Sequence, residues 1–254
     1  MSMNKDEALL RYVLRLGDNA LVLGQRLTEL VTWAPELEEE LANANLALDY
    51  IGQARLYYSY AGTLEGKGRT EDDFAFLRDG PDFRNVLLVE QPNGHFGDTI
   101  VRQFLFETFY ALQLEGLSRC SDPRLAEIAA RAVKEIRYHL RHVSHWLVRL
   151  GDGNEESHAR AQQSLSELWR FTGELFAGDE VDTIVEREWN GPRLGEIEQT
   201  WSREVDAVLA DATLIRPDAE WMDGGGRAGR HTEHLGYLIA EMQFLQRAYP
   251  GARW

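Results

Sequence analysis

Polar side chains recur in the middle of four long, otherwise apolar helical patterns, and several are of the types that hold metals. The first pattern, about 6–31, carries Asn19 between Leu16 and Leu23, with Arg26 two turns on. The second, about 36–62, carries Asn45, Asp49 and Gly52 on the stripe of Leu41 and Leu56. The third, about 97–117, places Gln103 and Glu107 among Ile100, Phe104, Ala111 and Leu114. The fourth, 123–150, places Glu135, Tyr138, His139 and His142 along Leu125, Ile128, Ala132 and Trp146. A carboxylate in an apolar stripe is costly unless it is paired or ligates a metal. Helical bundles that hold two irons or manganeses use one Glu from each of two helices and Glu-x-x-His from each of the other two. The i,i+3 spacing aims both groups of such a pair at one point. The chemistry this pattern suggests is therefore carboxylate-bridged di-metal oxidation.

The ligand set is broken. Asn19 stands where a Glu is required, Asp49 is followed three residues later by Gly52, and Glu135 by Tyr138, so both histidine positions are lost. Only Glu107 and Glu135 keep the expected type, with Asp49 a shorter substitute. Oxidation sites of this class need imidazole as well as carboxylate. His139 lies at i+4 from Glu135, and nothing replaces the histidine of the second helix. The residues thus point to no metal in this chain. The expected alternative is a buried network in which Arg26, Arg131, His139 and His142 compensate the acids. An autonomous di-metal oxidase or iron-handling protein using Asp49, Glu107, Glu135 and His139 is the rival.

The elements that must position these residues read as helical hairpin, long crossover, helical hairpin. Pro123, after Ser121 and Asp122, suits a first helical position. The segment 62–96, broken by Gly66, Gly68, Gly80-Pro81 and Pro92-Asn93-Gly94, has room only for short helices near 72–78 and 84–89. Such an order predicts an all-α, ferritin-like four-helix bundle with one long crossover. Further helices are expected at 155–176, 193–213 and 231–249, the whole chain forming one domain. No alternating strand pattern is present.

With 254 residues, 44% of them hydrophobic, the chain can bury a sizeable core. A net charge of −15 opposes binding to nucleic acid or an anionic membrane. No apolar run reaches a membrane-spanning length, and MSMNKDEALL lacks the build of a secretory signal. A single cysteine, Cys120, fits a reducing cytoplasm and reads as a packed thiol. His231 and His234, with Glu241 beyond, have no convergent third ligand and read as capping and packing residues. The run 224–230, GGGRAGR, lacks the ending of a phosphate loop and reads as a flexible connection. Its alternative is a phosphate contact through Arg227 and Arg230, as in an acyl-CoA binder.

Six stretches in chain order carry a resemblance: RLGDNALVLGQRL (15–27), LALDYIGQAR (46–55), LLVEQPNGHFGDTIVRQ (87–103), KEIRYHLRHVSHWLVRLGDG (134–153), LWRFTGELF (168–176) and HTEHLGYLIAEMQFLQR (231–247). Together they resemble the C-subunit family of the bacterial ring 1,2-phenylacetyl-CoA epoxidases, the multicomponent monooxygenases of phenylacetate degradation. The resemblance implies a ferritin-like subunit that has lost its ligands and that binds and stabilises a paralogous catalytic A subunit. It places the di-iron centre in that A subunit, and flavin and iron–sulfur groups in an NADPH-dependent reductase subunit. It also implies that Glu107 and Glu135 match ligand positions of the catalytic relative without being ligands here. The sequence leaves self-association of the isolated chain open.

Overall fold

Helix-starting residues act where the sequence places them. Asn4 caps the first helix through the Glu7 amide (2.8 Å), and Asp122 caps the helix that begins at Pro123 through the Leu125 amide (2.7 Å). The computed structural model describes residues 3–31, 33–218 and 221–252; Thr32, part of the expected turn at 32–35, lies outside them. Among the described residues there are ten α-helices and no strand. They are α1 Lys5–Thr28, α2 Leu37–Glu65, α3 Glu71–Phe76, α4 Phe96–Leu117, α5 Pro123–Gly151, α6 Glu155–Leu168, α7 Gly173–Phe176, α8 Glu180–Trp189, α9 Leu194–Asp211 and α10 Glu233–Ala248. The chain is all-helical, with two long hairpins, α1–α2 and α4–α5, in the order of a ferritin-like bundle.

Two differences from the sequence expectation concern the C-terminal half. The helix expected over 155–176 breaks at Trp169–Phe171 into a 3₁₀ turn, because the turn buries Trp169 and Phe171 together. An unexpected helix, α8, starts at a reciprocal cap in which Asp179 accepts from the amides of Val181 and Asp182.

The chain divides into two compact units. The first comprises Met1–Pro92 and Gly225–Trp254. Here α1 pairs with α2, and α10 packs on α1 and α3. Helix α1 is buried nearly all round, from Ala8 to Leu27, including Arg15, Asp18, Asn19 and Arg26. Gly17 is required there, because a methyl group at that position would come within 2.6 Å of the Tyr58 ring. The 225–230 loop is not slack: a side chain at Gly226 would strike the Asn85 carbonyl at 2.2 Å, and Gly225 sits at φ 127°.

The second unit is Asn93–Gly224. Its core joins α4, buried continuously from Gly97 to Ala111 apart from the half-buried Asp98, to α5, α6 and α9. Trp201 of α9 donates to the Leu105 carbonyl (3.0 Å) and packs tilted against Trp169 and edge-on to Phe176. With Ile197, Val205 and Leu209 it forms the buried stripe of α9. Cys120 is buried, and burial pushes its thiol pKa up, as expected for a packed thiol.

Candidate functional site

Helix α5 presents Leu125, Ile128, Ala129, Ala132, Ile136, His139, Val143 and Leu147 to the core. The stripe expected through Glu135 and Tyr138 is thus displaced by one position. Ile136 occupies the inward place, Glu135 is part-exposed, and Tyr138 is 57% exposed. An apolar residue takes the buried position at lower cost than its acidic neighbour, whose carboxylate would have to be desolvated there. Glu135 instead accepts from exposed Arg131 at 3.2 Å, a surface pair worth at most about 1 kcal/mol. His142 is half-buried on the same helix.

One polar cluster is fully enclosed in this unit. Gln103 Nε2 donates to Glu107 Oε1 at 2.9 Å, and the His139 Nδ1 atom lies 3.7 Å from the same oxygen. Glu107 and His139 are both 0% exposed. His139 therefore does accompany a buried acid as expected, but the acid is Glu107. Two such ligands and an amide do not make a di-metal site, and among the described residues no three His, Cys, Asp or Glu side chains converge.

In the first unit the expected positions are used otherwise. Asn19 Oδ1 accepts the Val86 amide at 2.9 Å, so it holds the crossover in place. Asp49 is half-buried and Gly52 is exposed, with no atom within 4 Å of where its side chain would stand. The inward face of α2 is Asn43, Leu46, Ala47, Tyr50, Gln53, Ala54, Tyr57, Tyr58 and Ala61. The stripe Leu41, Asn45, Asp49, Gly52, expected to face inward, thus lies on the other side. Apolar residues occupy both sides of α2, so periodicity alone does not select one.

Arg26 is engaged with the crossover and with the start of α10. Its guanidinium donates to the Glu90 carbonyl (3.1 and 2.8 Å) and the His234 carbonyl (3.1 Å), and pairs with Glu29 at 2.9 Å. Glu90 is the centre of a clasp. Its carboxylate accepts from Asn85 Nδ2 (3.0 Å) and the Thr232 amide (2.6 Å), and meets His231 Nδ1 at 2.9 Å. His231 Nε2 faces the Phe83 carbonyl at 3.0 Å. The two most distinctive sequence stretches, VEQPNG and HTEHLG, therefore meet at Glu90, fastening α10. His231 has a carboxylate partner, in keeping with its expected structural role.

A second buried network has no counterpart in the sequence expectation. Asp18, 0% exposed, accepts the Tyr58 hydroxyl (2.6 Å), the Arg84 amide (2.7 Å) and both terminal nitrogens of Arg78, one of them at 3.1 Å. Arg78 also lies over the Phe83 ring at 4.3 Å. Burial alone would lower the Arg78 pKa, but Asp18 and then Tyr58 outweigh burial and push it above its ordinary value. Burial first, then the Asp18 carboxylate, raises the Tyr58 hydroxyl well above 10. The only sequence signal is an acid within the buried face of α1, and its partner lies 60 residues away.

Tyr58 gives the network a pH dependence. Above pH 10 the unfolded chain releases the phenolic proton while the folded chain retains it, so this stability is full below that pH and is lost as pH rises. Denaturant midpoints measured between neutral pH and pH 11 should show a shallower alkaline decline in Tyr58→Phe than in the wild type. An unchanged slope would remove Tyr58 from the alkaline limb.

A family model described as phenylacetic acid catabolic protein matches residues 1–254. The C subunit of the 1,2-phenylacetyl-CoA epoxidase of Escherichia coli (strain K12) is 49% identical over 246 residues, covering 97% of this chain and 99% of that protein.

Proposed function

We propose, since the chain belongs to the phenylacetic acid catabolic protein family, that it is a non-catalytic subunit of a phenylacetyl-CoA epoxidase. In this reading it binds and stabilises a catalytic A subunit of the same helical type. That partner holds the di-iron centre and epoxidises the aromatic ring with oxygen. Reducing equivalents come from NADPH through the flavin and iron–sulfur groups of a reductase subunit. The complex works in the cytoplasm in aerobic phenylacetate catabolism. Among the described residues no helix is long and apolar enough to cross a membrane.

The supporting observation is how the ligand positions are used. Asn19 holds a backbone amide, Gly52 faces outward, Tyr138 is exposed, and Glu135 pairs with a surface arginine. Only Glu107 and His139 remain together in the interior. A residue set committed in this way does not fit two bridged irons, and no redox step is assigned to this chain.

The reading is tested in the reconstituted complex. Glu135→Leu should leave A-subunit binding and epoxidation within about twofold of the wild type, because a part-exposed surface pair contributes little. A folded Glu135→Leu chain that retains the A subunit but loses turnover would overturn the non-catalytic assignment.

A further inference from the structure

A cavity of about 350 Å³ opens between α1, α2 and α3 of the first unit. That volume lies within the range of small-molecule sites. Its apolar wall is Leu21, Ile51, Ala54, Ala75, Tyr58 and Phe76. Ala54 of α2 and Ala75 of α3 are both buried, and their short side chains leave room that a leucine would take up. The floor is held from behind. The Tyr58 hydroxyl donates to Asp18 at 2.6 Å, and its ring stacks on Phe74 with centroids 5.8 Å apart. A wall fixed in this way loses little freedom when a ligand enters.

The rim decides which ligand. It consists of Gln25, Arg55, Glu71 and Asp72. Arg55 Nε donates to Glu71 Oε1 at 3.0 Å, and Ser59 Oγ donates to Oε2 at 3.3 Å, so both oxygens of this carboxylate are engaged. The Glu71 amide, and then Arg55, hold the carboxyl below its usual range, which keeps it ionised and matched to Arg55. Asp72 is different: it is exposed and makes no hydrogen bond or ion pair among the described residues. The half-buried Gln25 side chain is likewise unengaged among them, which leaves its carbonyl as an acceptor. With Arg55 offset by Glu71, the rim carries the single negative charge of Asp72 in a chain of net charge −15. An anionic ligand is repelled by both, and a cationic head is drawn by both.

We infer that this cavity binds a small primary amine with an aromatic or branched apolar body, the body against Ala54, Ala75 and Phe76 and the ammonium paired with Asp72. The inference rests on this cavity and not on the proposed subunit role, and it is tested on the chain by itself, so each can fail without the other.

Isothermal titration calorimetry of the full chain with 2-phenylethylamine reads the site, with 3-phenylpropionate in parallel as an acid of similar shape. The amine should bind at one site per chain in the millimolar range or below, and the acid at least about tenfold more weakly, since attraction to Asp72 becomes repulsion. Asp72→Asn should weaken the amine by about three- to fivefold, the worth of an exposed ion pair. Ala75→Leu should abolish binding by filling the cavity, and circular dichroism unchanged from the wild type shows that this variant folds. Asp72 is exposed, so its substitution decides the question even where the leucine disturbs the core. An amine that gives no saturable heat overturns the inference, and so does an acid that binds as tightly as the amine. Amine binding that is indifferent to Asp72→Asn also overturns it, because the ligand then sits elsewhere.

Discussion

Asp18→Ala should lower stability by about 3–5 kcal/mol, the cost of leaving a buried charge without its partner. The carboxylate is fully enclosed, and its removal strands Arg78 beneath the Tyr58 hydroxyl and beside the Phe83 ring. The Arg84 amide loses its acceptor at the same time, which removes one of the ties between the crossover and α1. Thermal unfolding should show a midpoint lowered by roughly 6–20 °C, at about 2–4 °C per kcal/mol for a chain of this size. The double variant Asp18→Leu with Arg78→Met should be less destabilised than Asp18→Ala alone, because both charges leave together. Equal or additive losses would show that Asp18 and Arg78 do not act as a pair.

Glu90→Leu should cost a similar amount, about 3–5 kcal/mol, but its effect should be local. The leucine leaves the Asn85 amide, the Thr232 amide and His231 without the carboxylate that now accepts from or pairs with all three. These groups fasten the start of α10, whose remaining ties are to α1, α3 and the turn at Gly80–Asp82. Hydrogen exchange should therefore accelerate over 231–248 while the α1–α2 hairpin keeps its protection. Uniform acceleration across the first unit would show that the clasp is inseparable from the core. Arg26 gives a useful contrast, since it donates to the Glu90 backbone carbonyl and would retain that contact in Glu90→Leu.

Helices are legible in this sequence, and their faces less so. Helix α4 is expected at 97–117 and runs Phe96–Leu117, and α5 is expected at 123–150 and runs Pro123–Gly151. Proline at a first turn, an Asp cap and unbroken apolar periodicity suffice for that. Register on α5 shifts by one position because a ligand spacing favours Glu135 as the buried group, whereas Ile136, and after it Val143 and Leu147, take the interior. On α2 the signal is ambiguous, since leucines and tyrosines occupy opposite sides and only the tyrosine side packs within the chain. On α1 nearly every residue is buried, so the acid that matters most, Asp18, stands one position from Asn19 without a pattern to single it out. Long-range pairs such as Asp18 with Arg78 and Glu90 with His231 leave no periodic trace. The short helix α8 escapes a periodicity reading because the signals that start it are local caps.

These faces bear directly on function. The pattern of a di-iron bundle predicts polar side chains at matching depth on four helices, and the structure distributes them differently. Asn19 serves a crossover amide, Asp49 is half-buried, Glu135 serves a surface arginine, and Glu107 shares the interior with Gln103 and His139. On the proposed reading, hydrogen bonds and packing hold this interior and the surface serves association. Within that account Glu107→Gln should keep the Gln103 contact and cost little.

Iron stoichiometry of the isolated chain, refolded or expressed with excess ferrous iron and then freed of loosely bound metal, tests the central claim most directly. The account predicts far less than one iron per chain, and the same trace amount in Glu107→Gln. About two irons per chain, lost in Glu107→Gln, would contradict it.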